Sequence, residues 1–265
     1  MYSSDMSDSE WEIVRVILCE HYPPFHEHPS NQKPKRGRRI QHDMRDIIDA
    51  IFYLLKTGCQ WKMIPKEFGN WGTIATHFKK LKVMGIWDKI LDITNQKVRE
   101  SEKRNPTPTL AIIDSQSVKT IYGGKERGFD GNKKIKGRKR NITVDILGCL
   151  LCVTVTSAQP HDTKLAVPLI DQTIEKYPSI ETFAVDKGYR GTAFEHIISK
   201  GKKVILPEPE EGKKVSEKRW VVERTFAWMG HDRRLSKDYE ILLEHSETMV
   251  KINAMRRNLR RLDKV

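Results

Sequence analysis

The sequence has no long apolar run of the kind that anchors a protein in a membrane. No stretch approaches the roughly 20 apolar residues of a spanning helix, and the polar, acidic opening MYSSDMSDSEWEI does not resemble a signal peptide. Cysteine is also scarce, with four residues that do not form the pattern of a disulfide framework. We therefore expect a cytoplasmic protein with reduced thiols, which excludes membrane and export functions.

Two of the cysteines, Cys149 and Cys152, have the spacing of half a zinc site. They lie within the apolar run ITVDILGCLLCVTVTS, and no second Cys or His pair has a matching spacing. We interpret both as small core residues on a strand or hairpin.

Positive charge is present in excess. The 265 residues include 48 Lys and Arg against 35 Asp and Glu, a formal net charge of +13. The hydrophobic share of 38% and the length are sufficient for about two folded domains. Because a basic protein attracts polyanions, the charge balance favours nucleic acid as a partner.

Residues 1–105 have the hydrophobic spacing of helices. The segment SEWEIVRVILCE predicts a first helix capped by Ser9, and QHDMRDIIDAIFYLLKTG predicts a second helix that ends at Gly58. Short helices follow, broken at Pro65 and Gly85 among other positions. The segment IPKEFGNWGTIATHFKKLKVMGIW has the helix, tight turn and helix of a helix-turn-helix DNA-binding motif, and an ordinary helical bundle with a solvated lysine face is the alternative.

The pattern changes after the polar, proline-containing segment ESEKRNPTPT. We place there the boundary between a helical DNA-binding domain, 1–105, and a catalytic domain, 106–265. Strand-length runs such as LAIIDSQSV, KRNITVDILGCLLCVTVTS and IETFAVDKG alternate with helical segments after that point. This order of a meander followed by βαβ units predicts an α/β domain with a mixed sheet.

Three acidic residues are candidates for catalysis. Asp114 ends the run LAIID and Asp186 ends the run FAVD, so each is predicted where a buried strand emerges from the sheet, with a turn or helix cap as the alternative. Glu223 borders the core-facing stripe of a predicted helix, with Arg219 one turn before it. Three carboxylates can hold two Mg²⁺ or Mn²⁺ ions about 4 Å apart, the arrangement that suits phosphodiester cleavage.

Basic residues surround these acids along the chain. Six follow the glycine-rich segment YGGKERGFDGN in a predicted flexible loop, for which a solvated surface is the alternative: Lys133, Lys134, Lys136, Arg138, Lys139 and Arg140. Six more basic residues and one tyrosine lie next to the candidate acids: Tyr189, Arg190, Arg219, Arg224, Arg233, Arg234 and Lys237. We predict that all of them bind DNA, the tyrosine by stacking and the others by phosphate contacts.

Four blocks of the sequence, IIDSQSVK, GFDGNKKIKGRKRNITVDILG, FAVDKGYRG and RWVVERTFAWMGHDRRLSKDYE, resemble the DDE transposases of bacterial insertion sequences. Within these, the resemblance is to the IS5 family of the broader IS4-like group. The N-terminal segment GCQWKMIPKEFGNWGTIATHF resembles the helical domain that those proteins carry. The resemblance extends over nearly the whole chain, and its four blocks occur in the family's order.

The resemblance implies an RNase H-like catalytic domain, preceded by a small helix-turn-helix-like domain, with Asp114, Asp186 and Glu223 as the DDE triad. It also implies two divalent ions per site, Mg²⁺ or Mn²⁺, and a dimer that binds the terminal inverted repeats of an insertion sequence. Such an enzyme cleaves DNA at the element's ends and joins the freed 3′-hydroxyl to target DNA. The group's Tyr-x2-Arg-x3-Glu-x6-Lys signature is incomplete, since Ser216 and Gly230 occupy its Tyr and Lys positions.

Two other functions stay open at this point. A catalytically silent, transposase-derived DNA-binding protein would need no carboxylates, and the presence of all three favours an active enzyme. A plain RNase H-like nuclease would need the same carboxylates but no end-specific N-terminal domain. End-specific strand transfer distinguishes a transposase from both.

Overall fold

A computed structural model describes residues 2–22, 43–121, 126–206 and 217–264, without the side chains of residues 217–219. In those residues the helices are α1 (Asp8–His21), α2 (Met44–Thr57), α3 (Trp71–Val83), α4 (Ile86–Ser101), α5 (Asp162–Lys176), α6 (Thr192–Ser199), α7 (Glu217–Gly230) and α8 (Leu243–Leu262). The strands are β1 (Leu110–Lys119), β2 (Gly128–Asp130), β3 (Ile135–Val144), β4 (Leu150–Ser157), β5 (Thr182–Ala184) and β6 (Lys203–Ile205).

Local sequence signals determine where the first two helices begin and end. The Ser7 hydroxyl accepts a hydrogen bond from the Glu10 N–H, and the Glu10 carboxylate accepts one from the Ser7 N–H. This capping box starts α1. The prediction that Ser9 is the cap is wrong, because the helix already begins at Asp8 and Ser9 lies within its first turn. The predicted end of α2 is confirmed, since Gly58 has the left-handed φ of 68° that favours glycine.

The region between α2 and α4 is helical but differs from the predicted motif. Two single 3₁₀ turns, Trp61–Met63 and Lys66–Phe68, precede α3, and Gly85 separates α3 from α4. The breaks predicted at Pro65 and Gly85 are therefore confirmed. A helix-turn-helix needs a full helix before its tight turn. The structure has only a 3₁₀ turn there, so that part of the prediction is wrong.

One mixed sheet forms the second half of the molecule. Strands β4, β3 and β1 are antiparallel neighbours, whereas β1, β5 and β6 are parallel neighbours. The short β2 pairs with the beginning of β3. An antiparallel meander followed by parallel strands that are reached through helices is the RNase H-like arrangement. The predicted fold class is thereby confirmed.

Strand β1 is longer than the sequence predicted. It continues to Lys119 because its second half pairs with residues 137–140 of β3, so Asp114 lies in mid-strand and not at a strand end. The two strands approach closely at Gly137, where an added Cβ would lie 1.9 Å from the carbonyl oxygen of Val118. Only glycine fits at such a distance.

Two hydrophobic clusters cover the two faces of the sheet. The cluster on the side of α5 and α6 includes Ala111, Ile113 and Phe183. The other cluster includes Ile112 and Ala184 together with residues of α1–α4, α7 and α8. The helical N-terminal region and the sheet thus share one hydrophobic core. The division of the chain between residues 105 and 106 stays a prediction.

The C-terminal helix α8 connects the two parts of the molecule. It packs against α4 of the N-terminal region and against β4 of the sheet. Within the described ranges, no helix, α8 included, combines the length and the apolar composition that crossing a membrane requires.

Candidate active site

Asp114 is on β1, and Asp186 follows the end of the neighbouring parallel strand β5 by two residues. Strands β1 and β5 pair in a register that sets Ile112 beside Ala184, and the two aspartates follow two residues later on each strand. The chain stays extended past the end of β5, since the Val185 N–H donates to the carbonyl of β6 at 3.1 Å. Neighbouring residues in such a register lie about 5 Å apart and share a face. The topology therefore brings the two carboxylates together.

The alternation of side chains along a strand determines which face of the sheet carries the two aspartates. Ile112 and Ala184 belong to the cluster that also contains the buried stripe of α7. Because side chains two residues apart in a strand share a face, Asp114 and Asp186 are on the α7 side. Helix α7 packs against β1 and carries the half-buried Glu223. All three predicted catalytic acids are thus on one face of the sheet.

Backbone hydrogen bonds orient both aspartates. The Asp114 carboxylate accepts a hydrogen bond from the Ser115 N–H at 2.7 Å. Asp186 begins the 3₁₀ turn Lys187–Tyr189, and its carboxylate accepts from the Gly188 N–H at 2.8 Å. Such bonds stabilise the charged form of a carboxylate and restrict its rotation.

Tyr189 is buried within electrostatic range of both aspartates. It is only 3% exposed, in the cluster beneath α5 and α6, so the prediction that it stacks on DNA is wrong. Burial and then the charge of Asp114 raise the pKa of its hydroxyl well above the usual value, and Asp162 and Asp186 act in the same direction. The hydroxyl lies near that of Ser115 without a well-formed hydrogen bond.

The chemistry of these side chains suits a hard divalent cation. Carboxylate oxygens are the ligands that Mg²⁺ and Mn²⁺ prefer, and Asp114 and Asp186 fit such an ion as a pair. Among the described residues, however, no three His, Cys, Asp or Glu side chains are close enough together to hold one metal ion. Glu223 is therefore on the correct face without forming a three-residue cluster with the aspartates.

The basic segment after the glycine-rich run is a β-hairpin, not the predicted flexible loop. Lys133 and Lys134 form the turn between β2 and β3, and Lys136 is on β3. All three side chains are exposed. The Lys133 ammonium donates to the carbonyl of Ser115 at 2.9 Å, one residue from Asp114.

The other three residues of that segment are buried, and the prediction that they contact DNA is wrong. Arg138 forms an ion pair with Asp238 at 3.2 Å, and Arg140 donates to the carbonyl of Leu235 at 2.8 Å. Burial lowers the pKa of Arg140 to about 10. These two arginines hold the segment that follows α7 against β3, whereas Lys139 is directed to the opposite face.

Lys139 forms ion pairs with two acidic residues near the candidate site. Its ammonium lies 2.6 Å from Asp162 and 3.5 Å from Asp130. Although burial acts to raise it, the pKa of Asp130 is lowered to about 2 by hydrogen bonds from Ser117 and two backbone N–H groups and by the Lys139 charge. This network was not predicted, because it depends on contacts of β3 with β2 and α5 that leave no pattern in the sequence.

The remaining predicted DNA-binding residues differ in exposure. Three are exposed: Arg190, Arg233 and Lys237. Arg234 is 6% exposed, pairs with Glu240 at 2.7 Å and donates to the carbonyl of Cys59, so the prediction of DNA contact is wrong for it. The side chain of Arg219 lies outside the described residues.

Arg224 is held between two indole rings. Its Cζ lies 4.4 Å from the ring centres of both Trp220 and Trp228. Three residues at a spacing of four share one side of a helix, so this stack follows directly from the sequence of α7. That spacing is the signal from which the cluster could have been predicted.

Comparison with known proteins relates both parts of the chain to transposases. The family model described as "Transposase DDE domain" matches residues 105–259, and the one described as "Putative transposase of IS4/5 family" matches residues 6–91. The "Putative transposase for insertion sequence element IS402" of Burkholderia cepacia is 30% identical over 146 residues, which are 49% of this chain and 64% of that protein. The "Insertion element IS402 uncharacterized 16.2 kDa protein" of the same organism is 25% identical over 46% of this chain and 78% of that protein.

Solved structures with some similarity include two Mos1 complexes. The "Mos1 transposase paired-end complex with left transposon end" has a TM-score of 0.37 and 12% identity, over 90% of this chain and 79% of that chain. The "Crystal structure of the Mos1 mariner paired end complex with Mn" has a TM-score of 0.32 and 12% identity, over 98% and 97%. Similarity at these TM-scores does not relate one binding site to another.

Proposed function

Because this chain belongs to the DDE transposases of the IS4/IS5 group, whose general activity is the cleavage and transfer of DNA strands, we propose that Asp114, Asp186 and Glu223 are its catalytic triad. The observation that supports the proposal is the register of β1 and β5, in which Ile112 lies beside Ala184 on the face covered by α7, two residues before each aspartate. The proposed substrates are the terminal inverted repeats of the chain's own insertion sequence and a target DNA.

DDE transposases use divalent metal ions. We propose that two ions, Mg²⁺ or Mn²⁺, bind per active site, with Asp114, Asp186 and Glu223 as the protein ligands. Such ions, when bound, activate the attacking oxygen and stabilise the leaving oxygen of a phosphodiester. The hydrogen bonds from the Ser115 and Gly188 N–H groups restrict the rotation of the two aspartate side chains.

Two other carboxylates near the proposed triad already have a cationic partner. Lys139 pairs with Asp130 and Asp162, which removes both carboxylates from competition for a cation. Tyr189 fills the opposite face of the sheet with an aromatic ring. Its hydroxyl is neutral at physiological pH, as an ordinary tyrosine hydroxyl is, and the raised pKa extends that neutrality to higher pH.

Double-stranded DNA is the partner that family membership implies. We propose that the exposed basic side chains near the acids contact backbone phosphates: Lys133, Lys134, Lys136, Arg190, Arg233 and Lys237. Arg219, on the helix of the catalytic Glu, is proposed for the same role. We further propose that a homodimer pairs two element ends and that the enzyme acts in the cytoplasm on nucleoid DNA.

A strand-transfer assay tests this function. Purified protein is mixed with Mg²⁺ or Mn²⁺, the DNA ends that flank its own gene and a supercoiled target plasmid. The wild type is expected to give joined products. Asp114→Asn, Asp186→Asn and Glu223→Gln are expected to lose cleavage and joining while retaining DNA binding, because each removes a negative oxygen ligand without changing side-chain size.

The matched control is Glu195→Gln, which removes the same charge from an exposed position on α6. It is expected to retain full activity. Full activity in Glu223→Gln would remove that residue from the triad. Wild-type protein that binds the ends without nicking or joining them would instead favour the catalytically silent DNA-binding protein.

A further inference from the structure

A basic cleft of about 900 Å³ lies beside α7, bordered by α8, the turn between β3 and β4, and α2. Seven lysine and arginine side chains line it, against two carboxylates. Both carboxylates are already paired: Asp232 with Lys56 at 3.7 Å and Arg256 at 3.2 Å, and Glu102 with Arg261 at 3.3 Å. The cleft therefore keeps a positive charge that its own acidic residues do not neutralise.

Two arginines at this cleft form no ion pair with any residue that the structure describes. One is Arg224, between its two indole rings. The other is Arg257, whose Cζ lies 4.3 Å from the Trp228 ring centre and whose Nη2 donates to the Gly148 carbonyl at 2.5 Å. The Nε atoms of both residues and Nη1 of Arg257 are buried without a hydrogen-bond partner. Each guanidinium thus retains donors that the described part of the chain does not satisfy.

Three guanidinium groups are held close together in this cleft. Burial lowers the pKa of Arg257 to about 10, and the charges of Arg261 and Arg224 lower it as well. Burial followed by the charge of Arg261 also lowers the pKa of Arg224. Like charges that repel in a partly desolvated site are stabilised when an anion enters between them.

We infer that this cleft binds backbone phosphates of a DNA strand through Arg224, Arg257 and Arg261, an inference that rests on the proposed transposase function. A guanidinium fork matches the geometry of phosphate oxygens, and stacking on indole rings keeps Arg224 preorganised. Trp220 forms one edge of the cleft and is 52% exposed. Because Trp220 and Glu223 are three residues apart on α7, a strand positioned at the catalytic acids passes the entrance of the cleft.

DNA binding without metal tests the inference independently of catalysis. The affinity of a labelled duplex of the element's end is measured at several salt concentrations for wild type, Arg261→Gln, Arg257→Gln and the double variant. Each substitution is expected to weaken binding about tenfold. Each is also expected to reduce the slope of log affinity against log salt by about one. Arg15→Gln is the charge-matched control on α1, outside the cleft, and should change neither quantity.

A double variant with the affinity and salt slope of the wild type would overturn the inference, whether or not the wild type transfers strands. If Arg257→Gln does not fold, as judged by circular dichroism, Arg261→Gln alone decides, because the contacts of Arg261 with the Leu147 carbonyl and with Glu102 are longer, at 3.3 Å each. A titration with inorganic phosphate distinguishes a site for small anions from a site for DNA. A change of tryptophan fluorescence with phosphate, combined with unaltered DNA affinity in the variants, would identify a small-anion site and refute DNA binding there. A wild-type protein that binds the duplex but transfers no strands would count against the proposed catalytic triad and not against the cleft.

Discussion

Neutralising Asp49 is expected to stabilise this protein above neutral pH and to have little effect near pH 4. Asp49 is on α2, is 6% exposed and accepts one backbone hydrogen bond, from Met6 at 2.8 Å. The nearest cation, Arg45, lies 4.0 Å away and makes its shorter ion pair with Asp8, at 2.8 Å. Burial therefore dominates, and it raises the pKa of Asp49 from 3.8 to about 7.

The direction of the pH effect follows from proton binding. A carboxyl group whose pKa is higher in the folded state holds its proton more tightly when folded. Its contribution to the free energy of unfolding is therefore greatest at low pH and falls as pH rises from about 4 to about 7. A difference of about three pH units between the two pKa values corresponds to about 4 kcal/mol, at about 1.4 kcal/mol per unit. Asp49→Asn keeps an oxygen that can accept the Met6 N–H, so its expected gain approaches that value at about pH 8.

Urea unfolding of wild type and Asp49→Asn at several values between about pH 4 and pH 8 measures this effect. The stability difference between the two proteins should grow with pH across that range. Asp43→Asn is the matched control, because it removes the same charge from the exposed cap of the same helix and asparagine caps equally well. A difference between wild type and Asp49→Asn that does not change with pH would refute the reasoning.

Three further predictions test the structure. The exposed lysines of the hairpin are Lys133, Lys134 and Lys136. Changing all three to glutamine should lower the slope of log DNA affinity against log salt by up to about three. An unchanged slope would show that the hairpin does not contact DNA. Gly137→Ala should reduce the free energy of unfolding by about 3 kcal/mol or more, because its Cβ would meet backbone. Gly131→Ala, with open space around it, is the near-neutral control in the same urea titration. Arg99→Met should cost about 3–5 kcal/mol by leaving the fully buried Asp145 without its ion pair, whereas Arg104→Met at an exposed position should cost little.

Elements set by local chemistry could be predicted from the sequence, and elements set by pairing could not. Gly58 ends α2 where expected, and the hydrophobic stripe of α7 is buried at Val222, Phe226 and Met229. The true length of β1 was missed, because the polar half of that strand is stabilised by its pairing with β3 and not by its own composition. The same holds for β2, a three-residue strand in a glycine-rich segment.

The candidate site shows the same division. Asp114 and Asp186 were predicted from the apolar runs that precede them, and the register of β1 and β5 explains why they are on one face of the sheet. The network of Lys139, Asp130 and Asp162 depends on contacts between β3, β2 and α5, which leave no pattern in a single sequence. Buried charges of this kind are paired because an isolated charge in the interior is costly.

The number of basic residues in a segment is a poor measure of how much of it contacts DNA, and β3 shows why. Both faces of this central strand are covered, so its successive side chains must find partners inside the protein. Arg138 and Arg140 bind the segment after α7, while Lys139 binds acids on the other face. Lysines of the basic segment reach solvent at the outer end of the hairpin, at Lys133 and Lys134 in the turn and at Lys136 near the beginning of β3. One basic segment therefore has two parts: its outer end is exposed and is the part proposed to contact phosphates, and its inner end holds the segment after α7 against β3, beside the strand that carries Asp114.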